Sequence, residues 1–342
     1  MFRRVAVEMV NSVLRFVDAE VVRRSDLNRL VGIHRHSPTF GESPLPQGAE
    51  AYLRSDNPRL LELRNGYRAQ QPSFQASLWK QDFVNREIDL RYFRGDNAYL
   101  WTFQGVNSEV SYVLTTYYAE RTDQLGLLRC LEEDGLFGAH VFRFNDSLTI
   151  SSDLLNSVVE IAFLERHLRL SQRPGLKVLD IGAGYGRLGH RMVKALPDVG
   201  TCFCVDAVAE STFLSEYYLR FRGVDRKAVV VPFTDIESVM ASNRIDLAVN
   251  IHSFSECTVS AIEWWLDLLR RHRVRHLMIV PNAGWHNGTK LESLERDGRH
   301  KDFLEGILAR GYRLVVREPK YLDSSVQRYG VAPTHYHLFE LA

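Results

Sequence analysis

Residues 178–189 read Val178-Leu179-Asp180-Ile181-Gly182-Ala183-Gly184-Tyr185-Gly186-Arg187-Leu188-Gly189. A buried-strand pattern runs into a glycine turn, and Leu188, Met192 and Val193 then open a helix. Glycines suit that turn because the backbone must reverse tightly and let a ligand approach with no Cβ in the way. Gly184, Gly186 and Gly189 match the G-x-G-x-x-G spacing of dinucleotide enzymes, which alone is weak evidence. Asp180 discriminates between ligands. A carboxylate at the strand end would repel the pyrophosphate of NAD, whereas S-adenosylmethionine has no phosphate and carries ammonium and sulfonium cations.

Outward from this turn, short apolar runs recur: KVLDIG (177–182), CFCVDA (202–207), AVVVPF (228–233), IDLAVNI (245–251), HLMIVPN (276–282), YRLVVRE (312–318) and HYHLFEL (335–341). Helix-length segments separate the earlier runs, which predicts a parallel sheet with crossover helices. The last two are parted by residues 319–334, which hold Pro319, Gly330 and Pro333. This predicts a hairpin and an antiparallel final strand. Ser151, Ser152 and Asp153 offer helix N-caps before Leu154, Val158, Ile161, Leu164 and Leu168, which share one helical face. The domain boundary is therefore expected near residue 150.

Residues 1–150 read differently. Val10, Val13, Leu14, Val17 and Val21 recur at helical spacing within 1–25, and 37–58 is rich in proline and glycine. From 76 to 129 the chain is aromatic, with Trp79, Phe83, Tyr92, Phe93, Tyr99, Trp101, Phe103, Tyr112, Tyr117 and Tyr118. Packing accounts for most of these rings, and the pattern leaves open which of them line a pocket. The expected fold class is α/β. It comprises a mostly parallel seven-stranded Rossmann-like sheet over 151–342, with an antiparallel last strand, and a largely helical N-terminal region over 1–150.

Asp206 ends the second run, where a carboxylate can accept both ribose hydroxyls; its alternative job is a helix N-cap. Asp235 follows the third run and is placed for an adenine amino group. The expected cofactor-binding set is Asp180, Gly182, Gly184, Gly186, Asp206, Ala207, Asp235 and Asn250.

The D-x-G-x-G strand and turn, the acid on the second strand and the closing hairpin resemble class I S-adenosylmethionine-dependent methyltransferases over about residues 150–342. More narrowly, FLSEYYLRFRGV (213–224), NIHSFSECTVSAIEWWLDLLR (250–270) and QRYGVAPTHYHLFEL (327–341) resemble a bacterial family of sugar O-methyltransferases. Enzymes that modify methylated mannose oligosaccharides are the narrowest guess within it. The resemblance implies S-adenosyl-L-methionine as cofactor, S-adenosylhomocysteine as product and a carbohydrate hydroxyl as acceptor. It fixes neither the sugar nor the oxygen. A phenolic or other small-molecule hydroxyl is the alternative acceptor. A NAD-dependent oxidoreductase and a catalytically silent binding protein are the competing classes.

In an open parallel sheet, ligands bind beyond the carboxyl ends of the strands. Methyl transfer to a hydroxyl needs the oxygen held in line and its proton removed. His252 and Glu256, after the fourth run, are the candidate proton acceptors. Each also has a bland reading: His252 as a structural histidine bonded to a carbonyl, and Glu256 as an acid favoured at a helix N-terminus. Trp285, His286, Tyr329, His335 and His140 are the candidate substrate residues. For Trp285 and His286 the alternative is an ordinary loop anchor. No metal is expected, because Asp246 lies at the wrong end of its strand and Asp297 and Asp302 are isolated.

Across all 342 residues, 43 Lys+Arg against 42 Asp+Glu leave a formal charge of +1. That balance argues against nucleic acid as a partner. The basic run Arg270–His276 reads as a solvated helix end. No apolar stretch predicts a membrane span. Cys130, Cys202, Cys204 and Cys257 form no CxxC pair, and a cytoplasmic location is expected. A chain of 342 residues exceeds the needs of one methyl-donor domain. The surplus N-terminal region is therefore expected to form an acceptor-side cap, with a homodimer contact as a further expectation.

Overall fold

The structure is a computed structural model and describes residues 44–68, 78–80, 83–85, 88–95, 109–144 and 148–342. The helix expected within 1–25, along with Tyr99, Trp101 and Phe103, lies outside the described residues.

All seven apolar runs form strands of one sheet: β3 (Lys177–Ile181), β4 (Thr201–Asp206), β5 (Ala228–Pro232), β6 (Leu247–Ile251), β7 (His276–Val280), β10 (Tyr312–Pro319) and β11 (His335–Leu341). The strand order is β10-β11-β7-β6-β3-β4-β5. The β5-β4-β3-β6-β7 ladder is parallel throughout, whereas β11 pairs antiparallel with both β7 and β10. This is the Rossmann-like methyltransferase fold with the antiparallel last strand that the 319–334 hairpin predicts. That strand lies inside the sheet, next to the edge strand β10. Two small hairpins escape the sequence pattern: β1 (Val141–Phe144) with β2 (Leu148–Ser151), and β8 (Glu292–Leu294) with β9 (His300–Asp302).

The central strands are apolar because both faces are covered; Val178, Leu179, Leu247, Ala248, Val249, Leu277, Met278 and Ile279 are fully buried. The chain winds from β3 to β4 and β5, then returns to β6 on the other side of β3. The strand order thus reverses between β3 and β6, which is where open α/β sheets place their ligand crevice.

Six helices matter for the site: α1 (Pro58–Arg68), α2 (Glu109–Thr122), α3 (Ser152–Leu168), α4 (Arg187–Ala195), α5 (Ala209–Phe221) and α6 (Val259–Arg271). The Ser151 side chain caps α3 by accepting the Leu154 N–H at 3.0 Å. The expected face of Leu154, Val158, Ile161, Leu164 and Leu168 is buried. Arg270 and Arg271 lie exposed in the last turn of α6, where cations complement the helix dipole.

Both sides of residue 150 share one core. Helix α1 packs on α5, and α2 packs on α3. Arg59 pairs with Glu216 at 2.6 Å and Arg64 with Glu210 at 2.7 Å. The Tyr67 hydroxyl meets Thr212 at 2.8 Å and accepts the Phe233 N–H at 2.8 Å. Among the described residues, no helix is long and apolar enough to cross a membrane.

Candidate active site

A cavity opens at the carboxyl ends of β3, β4 and β6, lined by Asp180–Tyr185, Arg187, Leu188, Asp206–Val208, Ser211, Ile251–Ser253, Glu256, Cys257, Trp265 and Trp79. It encloses about 120 Å³.

The glycine turn closes the cavity floor. Gly182 has φ +73°, and a Cβ there would lie 2.2 Å from the Ser253 hydroxyl. Asn250 holds this junction together. Its amide donates to the Ile181 carbonyl at 3.0 Å and to Ser253 Oγ at 2.6 Å, while its oxygen accepts the Phe254 N–H at 3.0 Å. Asn250 is fully buried and acts behind the cavity rather than in it. Gly189 lets α4 press on β4, since a Cβ there would lie 2.5 Å from Cys204 Sγ. Cys202 and Cys204 are core residues.

Asp206 spans the turn. Its carboxylate accepts the Gly184 N–H at 2.9 Å and the Val208 N–H at 2.8 Å. Burial pushes it up to about 6, against the pull of those backbone donors. Asp180 also faces the cavity, and burial raises it to about 7 despite nearby Arg187. Ala207 lines the wall, and Gly186 stands as the N-cap of α4. Asp235 does not join them. It is exposed, accepts the Thr234 hydroxyl at 2.9 Å and lies outside the cavity. The helical turn at Phe233–Asp235 carries it onto the surface.

His252 and Glu256 both line the cavity, in different ways. His252 holds a positive φ of 66°, unusual for a residue with a Cβ. Its Nδ1 is buried with no hydrogen-bond partner. Burial and the cations Lys320 and Arg187 hold the ring down to about 3, opposed by the Pro281 carbonyl. The ring is therefore neutral near pH 7. Glu256 is 5% exposed and already engaged. The Trp79 indole donates to its Oε2 at 2.6 Å and the Asn282 amide to its Oε1 at 3.3 Å.

None of the expected substrate residues lines this cavity. Trp285 is 77% exposed, with Lys290 Nζ 4.4 Å from its ring centre. His286 accepts the Gly288 N–H at 3.1 Å and lies 3.4 Å from Glu292. His335 donates to the Asn287 carbonyl at 2.7 Å and His337 to that of Gly288 at 2.9 Å. These histidines fix the 281–290 loop, which is the anchor reading. Tyr329 is exposed beside Arg328, and His140 is half-buried.

A polar stripe on α3 escapes the sequence reading. Asp153, Asn156, Ser157 and Glu160 are buried at helical spacing. Asp153 accepts the Tyr185 hydroxyl from the glycine turn and Arg94 Nε at 3.1 Å. Ser157 and Glu160 each hold Arg187 at 2.8 Å. Asn156 accepts from Lys320 Nζ at 2.5 Å. Polar residues recurring every three or four positions in an otherwise apolar helix were the available signal. Among the described residues, no group of three or more His, Cys, Asp or Glu could hold a metal ion.

The sequence matches no family model and no curated protein. Solved structures similar to it include magnesium protoporphyrin IX methyltransferase from Synechocystis with bound SAH. That chain is 11% identical, with a TM-score of 0.40, over 67% of this chain and all of that one (100%). An S-adenosylmethionine-dependent methyltransferase from Clostridium acetobutylicum is 12% identical, with a TM-score of 0.39, over 54% of this chain and 90% of that one. Precorrin-6y C5,15-methyltransferase from Geobacter metallireducens is 14% identical, with a TM-score of 0.35, over 54% and 87%.

Proposed function

We propose that this chain is an S-adenosylmethionine-dependent O-methyltransferase acting on a hydroxyl of a sugar or oligosaccharide. The observation that carries the donor assignment is the pair of cavity-facing carboxylates, Asp180 and Asp206, at the ends of adjacent strands beside a glycine turn. Two acids there oppose a pyrophosphate and suit a ligand with an ammonium and a ribose. Asp180 would meet the ammonium, Asp206 the ribose hydroxyls, and the turn backbone the remainder.

When bound, the donor supplies a methyl group already activated by its sulfonium. His252 is assigned to the acceptor hydroxyl. A neutral imidazole with a bare Nδ1 offers a lone pair to the O–H. As the oxygen–methyl bond forms and the carbon–sulfur bond breaks, the oxygen becomes strongly acidic. Even a weakly basic imidazole then takes its proton. Glu256, with both oxygens engaged, is assigned to holding the wall rather than moving the proton.

The sugar acceptor rests on the resemblance of residues 213–224, 250–270 and 327–341. The near-zero formal charge of +1 disfavours a nucleic-acid acceptor. Incubation with methyl-labelled donor and separate panels of glycosides, phenols and RNA tests this. Label in glycosides alone supports the sugar acceptor. Label only in phenols or RNA contradicts it while leaving the donor assignment intact.

A further inference from the structure

We infer that Trp79, delivered from the N-terminal region, is the nucleobase wall of the donor pocket; this rests on the donor reading above. Trp79 lines the cavity although it lies about a hundred residues before β3 in the chain. Two adjacent residues dock on one acidic residue. The Leu78 N–H donates to the Glu256 carbonyl at 3.4 Å and the Trp79 indole N–H to the Glu256 carboxylate at 2.6 Å. Asn282, just past β7, holds the other carboxylate oxygen at 3.3 Å. Phe83 meets the Trp79 ring edge-on, with centroids 5.4 Å apart.

Cys257 lies within electrostatic reach of both Glu256 and Asp206. Asp206, Val208, Ser211, Cys257 and Trp265 line the same cavity as Glu256 and Trp79. A ribose held at Asp206 therefore leaves its base within a cavity that Trp79 walls. An indole offers a flat, polarisable face to a purine without needing to read its edge. Asp235, the residue placed by sequence for the base, is outside the cavity, so the base needs another recognition element.

Calorimetric titration with S-adenosylhomocysteine tests the inference. S-ribosylhomocysteine, which keeps the ribose and amino acid and lacks the base, is the second ligand. Trp79→Ala and Trp79→Leu should each weaken S-adenosylhomocysteine by about 5- to 150-fold, the range for losing one stacked aromatic partner. Trp79→Phe, which keeps a stacking face, should bind within about threefold of wild type. Both weakened variants should bind S-ribosylhomocysteine as wild type does. Unchanged affinity for S-adenosylhomocysteine in the Leu variant, or equal losses for the two ligands, overturns the nucleobase wall. Absence of S-adenosylhomocysteine binding by wild type would instead remove the donor reading itself.

Discussion

The Asp206 carboxylate accepts the backbone N–H of Gly184 at 2.9 Å, across a separation of 22 residues. This bond ties the end of β4 to the turn that leaves β3, so one side chain shapes the cavity floor and also faces the cavity. Asp206→Ala removes both jobs at once. Its affinity for S-adenosylhomocysteine is expected to fall by at least about tenfold, the equivalent of roughly 1.4 kcal/mol from a lost charge-assisted bond. Calorimetry on the variant and wild type measures this; a drop below twofold contradicts it.

Gly182→Ala should damage the turn in two ways. The residue holds φ +73°, and the new Cβ would meet Ser253 Oγ at 2.2 Å. Left-handed strain costs about 1–2 kcal/mol and overpacking about 1–3 kcal/mol. A loss of about 2–5 kcal/mol in urea unfolding is therefore expected. A loss below 1 kcal/mol would mean that Ser253 moves aside freely.

Arg94 is fully buried against Glu133 at 2.7 Å and Asp153 at 3.1 Å, and Asp153 in turn holds Tyr185 of the glycine turn. Arg94→Met strands buried carboxylates and should cost about 3–5 kcal/mol. Despite burial, Arg94 and Arg191 hold Glu133 down to about 2. A depressed acid stabilises the fold above its ordinary value of 4.5 and loses that contribution as pH falls toward 2. Wild type should therefore lose more stability between pH 5 and pH 3 than Arg94→Met does. Parallel urea titrations at the two pH values decide it.

Asp180 has the opposite sign. Burial raises it to about 7, so the folded state binds its proton more tightly than the unfolded chain. Its contribution is most favourable near pH 4 and is lost as pH rises to 7, by up to about 1.4 kcal/mol per pH unit. Asp180→Asn cannot titrate. Relative to wild type, it should gain stability steadily over that interval. A pH-independent difference between the two proteins would contradict a carboxylate raised by burial.

His252→Asn separates chemistry from binding. Asparagine tolerates the positive φ of 66° better than alanine does. Turnover should fall about 10²–10⁴-fold, as for loss of a proton acceptor, with S-adenosylhomocysteine affinity within about threefold. Undiminished turnover would remove His252 from proton transfer.

The parallel strands were legible because buried parallel strands must be apolar along their whole length. KVLDIG through HLMIVPN therefore announced themselves, and the 319–334 hairpin marked the antiparallel pair. The glycine turn and both cavity acids were legible for a related reason, since their spacing along the chain fixes their place at the strand ends. Contacts that depend on distant chain segments were not. Trp79 was one aromatic among many until its indole reached Glu256, 177 residues on. The α3 polar stripe takes its meaning from partners elsewhere in the chain, namely Arg94, Arg187, Lys320 and Tyr185. His335 and His337 share one face of β11. That face bonds the carbonyls of Asn287 and Gly288 rather than the cavity. Asp235, placed by sequence for a base, lies exposed outside the cavity.

The central claim is that the cavity beneath Asp180 and Asp206 takes a phosphate-free, cationic nucleoside. Titrating the wild-type protein with S-adenosylhomocysteine and, separately, with NAD tests it most directly. The account predicts saturable binding of S-adenosylhomocysteine, lost in Asp206→Ala, and no measurable heat with NAD. Saturable NAD binding without S-adenosylhomocysteine binding would contradict it.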